Sequence, residues 1–344
     1  MALAFDPPQR LRDVTTPRIT AVVVVHGSSA DTVEQCIDSV LTSHDVDVHV
    51  VVVDNASPDG GAACARWETD DRVTVVHSTT NGGFAAGVNQ GLRRRRPGDT
   101  VLLLNDDATV EADALSICAE QLAADPANIA VVPRVMLAGQ RDLIDSIGVV
   151  LRSTGEAFNA FIGQPWSQQI AAGQRVFGPC FAATLIRADA FDADSVGLLD
   201  ERYHLYYEDI DWGLRAQRIG QHTVAAPGAV VWHRHAASTR LLGEPARYEL
   251  VQRNLLLCAT KNLTARVAAR VWVTRLVVHA KGLVTGPYRA QRLRSIARAL
   301  VGLPSAVAAR RGLPRHRAVS DAELFRYADG MTPNFDAETL RAPD

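Results

Sequence analysis

Three short, almost unbroken apolar runs, Ile19–Val25, Val48–Val53 and Val101–Leu104, constrain this 344-residue chain more than any other feature. A strand covered on one face alternates apolar and polar residues. A run without alternation must be buried on both faces, as in a parallel sheet with helices on each side. Each run stops abruptly in polar residues: His26-Gly27-Ser28-Ser29, Asp54-Asn55-Ala56-Ser57 and Asn105-Asp106-Asp107. Segments of helical period lie between them. One runs from Asp31, a candidate cap, to about Ser43, with Val33, Cys36, Ile37, Val40 and Leu41 on one side. Others are Gly83–Arg94, behind a glycine loop, and Ala112–Ala124. Val73–His77 and Ile129–Val135 complete the strand set. Strands alternating with helices predict an α/β domain with an open, mostly parallel sheet and helices on both faces. In such sheets ligands bind outside the carboxyl ends of the strands, where His26, Asp54, Asn81 and Asn105-Asp106-Asp107 fall.

Residues 139–173, rich in Gly, Ser and Gln, read as a long functional loop or small subdomain. Val176–Ile186 returns to a strand pattern, Tyr203–Arg218 reads as a helix carrying Glu208, Asp209 and Asp211, and Ala229–Trp232 is a short strand before His233-Arg234-His235. From Arg247 the pattern is mostly helical. The expected organisation is an N-terminal extension (1–18), a main domain (19–245) and a helical basic region (246–344). From Lys261 to Arg326 there are 14 Lys and Arg against Asp321 and Glu323, although the whole chain carries −2. An acidic body with a basic tail predicts either an anionic partner, such as a membrane surface or lipid phosphates, or internal pairing of the tail with the body. Nucleic acid is not an expected partner. Five scattered cysteines without a CxxC pair fit buried thiols in a reducing cytoplasm. The polar, Pro-containing start does not read as a signal peptide, and no run reaches the roughly 18 apolar residues of a membrane span.

Adjacent carboxylates after a buried strand make Asp106 and Asp107 candidates for a hard divalent cation, Mg²⁺ or Mn²⁺, shared with phosphate oxygens. A turn or a helix cap uses the same residues. In Glu208-Asp209-Ile210-Asp211, three crowded carboxylates raise at least one pKa, which suits a base for a hydroxyl proton. On a helix residues 208 and 211 share a face and 209 points elsewhere, and acidic residues also favour any helix N-terminus. His233, with His235 as competitor, suits a transition-type ion such as Mn²⁺. Asp54 is placed to accept from a pyrimidine ring N–H, or to form a turn. Gly82-Gly83-Phe84-Ala85-Ala86-Gly87 follows the third strand, not the first, so it is no dinucleotide fingerprint. Its glycines serve helix packing or a diphosphate at a helix N-terminus.

Taken together, from about Ile19 to about Lys261, these motifs resemble family 2 glycosyltransferases, inverting enzymes with the Rossmann-like GT-A fold. The resemblance runs through Val-Val-Val-Val-His26-Gly27-Ser, Val-Val-Asp54-Asn-Ala-Ser, Asn81-Gly-Gly-Phe-Ala-Ala-Gly-Val-Asn89, Leu-Leu-Asn105-Asp106-Asp107-Ala, Tyr-Tyr-Glu208-Asp209-Ile-Asp211-Trp-Gly-Leu-Arg215 and Val-Trp-His233. It implies a donor site at His26, Gly27, Asp54, Asn81 and Asp106, a metal on Asp107 and His233, and Asp209 as catalytic base. Glu208 and Asp211 then orient the acceptor or support the base. Many members carry Tyr-Asn where this chain has His26-Gly27, and the DxD position begins with Asn105. Arg247-Tyr248 and Arg253-Asn254 are similar to a signature of rhamnosyl- and galactofuranosyl-transferases. A dTDP- or UDP-sugar donor is therefore expected, rhamnose first and galactofuranose or an N-acetylhexosamine second. The expected acceptor is a glycan or lipid-linked glycan of the cell surface, reached by peripheral membrane contact through the basic helices, with a homo-oligomer as their other use. Trp166 and Trp212 are candidates for sugar stacking or for packing. Three rivals fit less well. A sugar-1-phosphate nucleotidyltransferase calls for a Gly-rich first loop with Arg and Lys, and an NAD-dependent dehydrogenase for a glycine fingerprint after the first strand. A non-catalytic glycan-binding scaffold would have lost the acidic set.

Overall fold

The structure is a computed structural model and describes residues 16–234, 243–314 and 317–331. His235 and residues 1–15 of the expected N-terminal extension lie outside the described residues.

The three constraining runs form β1 (Arg18–Val25), β2 (Asp47–Asp54) and β4 (Thr100–Asn105), joined by β3 (Val73–His77). β1 pairs in parallel with β2 and β4, and β2 with β3. Successive β1 residues serve opposite faces. Ile19, Ala21, Val23 and Val25 join a core with helices α1 (Ala30–Leu41) and α3 (Ala114–Ala123), while Val22 packs with α2 (Phe84–Leu92) on the other side. Both sides are covered, so the run from Ile19 to Val25 is apolar in both registers except for Thr20, whose hydroxyl donates to Asp99 Oδ2 at 2.8 Å. α1 is capped by Ser29, whose Oγ accepts from the Thr32 N–H. Asp31 sits in its first turn and is not the cap expected from the sequence.

The second half of the sheet is mixed. β6 (Asn128–Leu137) and β12 (His222–His233) run parallel to each other, and β11 (Ala183–Ile186) lies antiparallel between β6 and β4. The order is β10-β12-β6-β11-β4-β1-β2-β3, with β10 spanning Arg175–Val176. Because β11 is antiparallel to both neighbours, β6 and β12 share the direction of β1 to β4, and all their carboxyl ends reach one edge. The single strand expected over Val176–Ile186 is broken at Gly178-Pro179-Cys180, where the chain leaves β10 and re-enters the sheet as β11. The segment expected as one loop, 139–173, instead holds β7 (Gln140–Ser146), β8 (Val149–Leu151) and β9 (Ala157–Asn159). β7 pairs with β6, and β8 with β9. β12 is also longer than expected, since a register shift between Ala226 and Val230 absorbs Pro227-Gly228 without ending the strand.

The helix expected from Tyr203 begins only at Glu208 and forms α4 (Glu208–Arg218). His204, Tyr206 and Tyr207 hold positive φ of 65°, 68° and 75°, so no helix passes through them. Helices α5 (Glu244–Asn262), α6 (Ala265–Thr285), α7 (Arg289–Gly312) and α8 (Asp321–Arg326) complete the described chain. Leu255 to Ala259 of α5 are buried with Tyr207, Ile210 and Leu214, which ties the helical region to α4.

Candidate active site

A pocket of about 240 Å³ opens at the carboxyl edge of the sheet. Strand ends and α4 supply its acidic walls: Asn105, Asp106, Asp107 and His233 on one side, and Glu208 and Asp209 on the other, with Arg247 from α5 at the rim. These residues are up to 142 positions apart in sequence. The common strand direction brings them together.

His233 ends β12 and is buried between two carboxylates. Its Nε2 lies 3.0 Å from Asp107 Oδ1 and its Nδ1 2.6 Å from Asp145 Oδ2. Burial alone would lower its pKa, but Asp107 and Asp145 lift it well above the usual imidazole value. Burial opposes ionisation of Asp107 as well, and the imidazolium charge keeps that carboxyl below its ordinary value. At Asp106, burial and then the adjacent Asp107 outweigh hydrogen bonds from Ser28 and the His26 backbone and the charge of His233, and push the pKa up to about 7. Its Oδ2 is buried without a hydrogen bond. A carboxylate that cannot ionise cheaply, beside one already ionised, is a site short of positive charge. Asp107, His233 and the orphaned Asp106 oxygen therefore fit a divalent cation. Among the described residues no group of three or more His, Cys, Asp or Glu has metal-binding geometry by itself. Asp107 and His233 form a two-residue donor set that leaves coordination positions for ligand oxygens.

Asp145 was not singled out from the sequence. It lies in the segment read as irregular, and only the β7 pairing with β6 carries it to His233. A carboxylate on the far imidazole nitrogen fixes ring orientation and tautomer. The missed signal is modest: one acid between apolar residues in Leu-Ile-Asp-Ser-Ile.

On the opposite wall, burial raises the pKa of both acids. Glu208 stands well above its ordinary value, with Asp209 adding to the shift, and Asp209 is raised to about 6. Glu208 Oε2 has no partner. Asp211 departs from its expected acceptor-side place. It is fully buried, outside the pocket lining, and bound by Lys261 Nζ at 2.7 Å, Arg215 Nε at 2.9 Å, Asn262 Nδ2 at 2.8 Å and the Tyr203 hydroxyl at 3.1 Å. Two residues of helix, about 200° of rotation, turn Asp211 away from Asp209, so it anchors α4 to α5. Glu208 and Asp209, which the helical period had separated, share the pocket because they occupy the first turn, where the chain has just entered α4 from a left-handed residue.

The turn before α4 is held from outside. Asn254 of α5 donates its amide to the carbonyls of Tyr203, Leu205 and Tyr206 at 2.9, 2.8 and 2.8 Å. Arg253 reaches the Arg202 carbonyl. The turn also leans on the glycine loop, since a Cβ on Gly83 would sit 2.3 Å from the His204 carbonyl oxygen. With φ +85° and ψ 174°, Gly83 occupies a region essentially restricted to glycine.

The other donor-side candidates line adjoining loops. Asp54 ends β2, accepts from the Ser57 N–H at 2.9 Å and pairs with His77 at 3.2 Å. Burial opposes its ionisation, but Ser57 and His77 win and hold its pKa below the ordinary value. His26 Nδ1 lies 3.1 Å from the Asn55 carbonyl, and the Gly27 N–H donates to Ser57 Oγ at 3.3 Å. Asn81 accepts from Asn55 Nδ2 at 3.0 Å. These bonds join the ends of β1 and β2 and the glycine loop into one rim. Neither tryptophan lines the pocket. Trp212 is fully buried against Phe181 and Phe191, and Trp166 packs beneath Arg134, so both serve packing.

Residues 20–160 match the model of the family described as Glycosyl transferase family 2. The succinoglycan biosynthesis protein ExoO of Rhizobium meliloti (strain 1021) is 36% identical over 115 residues, 33% of this chain and 32% of its own length. The polyprenol monophosphomannose synthase of Mycolicibacterium smegmatis (strain ATCC 700084 / mc(2)155) is 28% identical over 188 residues, 52% of this chain and 65% of its own. The chain thus spans less than two thirds of either relative. Among solved structures, GalNAc-T7 with UDP, GalNAc and Mn²⁺ superposes with a TM-score of 0.62 at 12% identity, covering 86% of this chain and 57% of that one. Sequence and architecture converge: residues 20–160 match the family 2 glycosyl transferase model, and the chain shares the mostly parallel, GT-A-like sheet architecture of GalNAc-T7.

Proposed function

We propose that this protein is an inverting, metal-dependent glycosyltransferase that moves a sugar from a nucleoside diphosphate donor to an acceptor hydroxyl. One observation carries the reading: a cation-seeking pair, Asp107 and His233, faces a raised-pKa acid pair, Glu208 and Asp209, across one pocket. Displacement at a glycosyl carbon needs charge stabilised on the leaving diphosphate and a base for the incoming hydroxyl on the opposite side. Asp107 and His233 would hold the divalent ion, which when bound supplies positive charge to the departing diphosphate. Asp145 holds the His233 ring. Asp106 faces the donor, and His26, Gly27, Asp54 and Asn81 form its nucleoside rim. Asp209 takes the acceptor proton as the acceptor oxygen bonds to the anomeric carbon and the bond from that carbon to the diphosphate oxygen breaks. Glu208, poorly ionised in the same wall, orients the acceptor by hydrogen bonding, and the carbon passes through an oxocarbenium-like state.

The relatives' names support the acceptor part of the proposal. One is named for a polymer pathway and one for a polyprenol product. We take the acceptor to be a cell-surface glycan or its lipid-linked precursor, met at the inner face of the cell membrane. The donor is a dTDP- or UDP-sugar, with rhamnose the first sugar to test. Thermal unfolding with UDP, dTDP and GDP, each with and without Mn²⁺ or Mg²⁺, tests the site. A ligand at 100 times its Kd stabilises by about 2.7 kcal/mol. A metal-dependent rise for one nucleotide, absent in Asp107→Asn, is expected. Equal shifts with and without metal refute the Asp107 and His233 assignment.

A further inference from the structure

Large hydrophobic side chains on a protein surface are ordinarily scattered. Here nine are exposed among the described residues, and eight of them lie on α6 and α7, the other being Leu198. On α6, Val273, Val277 and Val284 recur at positions that share one helix face, 61%, 48% and 73% exposed. On α7 the corresponding set is Leu293, Leu300 and Val301, 57%, 53% and 83% exposed. The opposite faces of both helices are accounted for: Ala268, Val271, Arg275 and His279 of α6, and Ser295, Ala299 and Ala306 of α7, are buried. Each helix therefore has an inner face packed against the protein and an outer apolar stripe with nothing of this chain over it among the described residues.

Charge identifies what the stripes meet. Residues 265–312 contain ten Lys and Arg and no Asp or Glu. Some of these cations are used internally: Arg275 pairs with Glu156, Arg298 with Glu249, and Arg292 stacks over Tyr248. Arg266, Arg270 and Lys281 of α6 and Arg294 and Arg311 of α7 are exposed, and none makes an ion pair among the described residues. On α6, Arg270 and Lys281 border the valine stripe, one turn from Val273 or Val277 and from Val284. An apolar stripe edged by unpaired cations is the pattern of helices that lie in the plane of an anionic bilayer, valines among the acyl chains and cations at the headgroup phosphates. A second copy of this chain would bring the same cations face to face and offers no acidic partner for them on these helices. No helix of the described chain is long and apolar enough to cross a membrane, so the contact is peripheral.

We infer that the outer faces of α6 and α7 form a docking surface for an anionic lipid bilayer. The inference concerns where the protein sits, not the transfer chemistry, and it stands whether or not the pocket transfers a sugar. The test is co-sedimentation of the full chain with vesicles of phosphatidylcholine alone and of phosphatidylcholine with about 30 mol% phosphatidylglycerol, at low and high salt. Binding is expected with the anionic vesicles and is weakened by salt, which screens the headgroup attraction. Val277→Asp with Val284→Asp, and separately Arg270→Glu with Lys281→Glu, should each lower the partition coefficient about tenfold or more. These positions are exposed, and an unchanged unfolding midpoint verifies that the variants fold. Nucleotide binding in the same variants should be unaltered, which separates failure here from failure of the transferase reading. Equal binding to neutral and anionic vesicles, or unchanged binding in both double variants, overturns the inference. So does a dimer in light scattering that the aspartate variants dissociate while wild type ignores vesicles, since the face then belongs to a second copy.

Discussion

Replacing Asn254 with alanine removes one side-chain amide from beneath three backbone carbonyls, those of Tyr203, Leu205 and Tyr206. An amide has two hydrogens, so the loss amounts to two full bonds shared over three acceptors. Each buried carbonyl left short costs about 1–3 kcal/mol, or roughly 2–6 kcal/mol in all. Relaxation returns part of it. His204, Tyr206 and Tyr207 hold left-handed backbone that costs on the order of 1 kcal/mol each, and the turn recovers this if it unwinds. The net destabilisation should fall at about 2–4 kcal/mol, read from the shift in urea midpoint. The functional consequence is larger, because this turn aims Glu208 and Asp209. A displacement of about 1 Å at a reacting group costs roughly a hundredfold in rate, so kcat for transfer should drop at least that much. Nucleotide affinity with metal should stay within about twofold, because Asp54 and His233 end β2 and β12 and Asp107 lies in the turn just after β4, all apart from this turn. Asn254→Asp should be worse than Asn254→Ala, since it presents acceptors to acceptors. Near wild-type kcat in Asn254→Ala despite a stability loss would refute the aiming role. An equal fall in nucleotide affinity would show general damage instead.

Asp209→Asn should abolish transfer and keep nucleotide binding, and retained transfer at near wild-type rate removes Asp209 as base. The wild-type rate should climb with pH and level off above about 6, where burial has placed the Asp209 pKa. The sign of the stability effect follows. The folded pKa lies above the unfolded one, so wild type loses stability as pH rises from about 4 to about 6, and Asp209→Asn escapes that loss. Urea titrations at pH 4 and pH 8 should show the variant more stable only at pH 8. Asp145→Asn should weaken Mn²⁺-dependent nucleotide binding by about 10–100-fold while leaving metal-free binding unchanged, and isothermal titration distinguishes the two. Metal-dependent binding in wild type should weaken as pH falls, because the ion must displace the proton that Asp107 and Asp145 hold on His233; a pH-independent affinity contradicts His233 as a ligand. Gly83→Ala should destabilise by about 2 kcal/mol or more, combining a forbidden backbone conformation with a clash at His204, as a thermal melt will show.

The sheet was readable because burial on both faces writes itself into every residue of a strand. Arg18–Val25, Asp47–Asp54 and Thr100–Asn105 were located within a residue or two from their unbroken apolar character. The helices α1 and α3 were equally plain, although the α1 cap was misplaced by two residues because Ser29 and Asp31 have similar capping chemistry. Residues 139–173 were not readable. β7 and β9 are partly exposed, and β8 and β9 have only three residues each, pairing with one another just as β7 pairs with the preceding β6, so no long apolar run or sustained period announces them. Asp145 was lost with them. The period of 3.6 grouped Glu208 with Asp211, which holds inside a helix. It does not hold for a first turn entered from a left-handed tyrosine, where Glu208 and Asp209 face the pocket together.

By itself, the sequence determined the parallel core, its polar strand ends and the chemical types gathered there, because these depend on local composition and period. The tertiary structure decided which carboxylates work as pairs. Asp211 has the same side chain as Asp209, yet Lys261, Arg215 and Asn262 compensate its charge and keep its pKa low, while Asp209 is buried with no cation against it and its pKa rises. Ionisation is set by what surrounds a group in space. Arg215 is four residues on in α4, but Lys261 and Asn262 come from α5, 50 and 51 residues away, so a local reading along the chain does not tell the two apart.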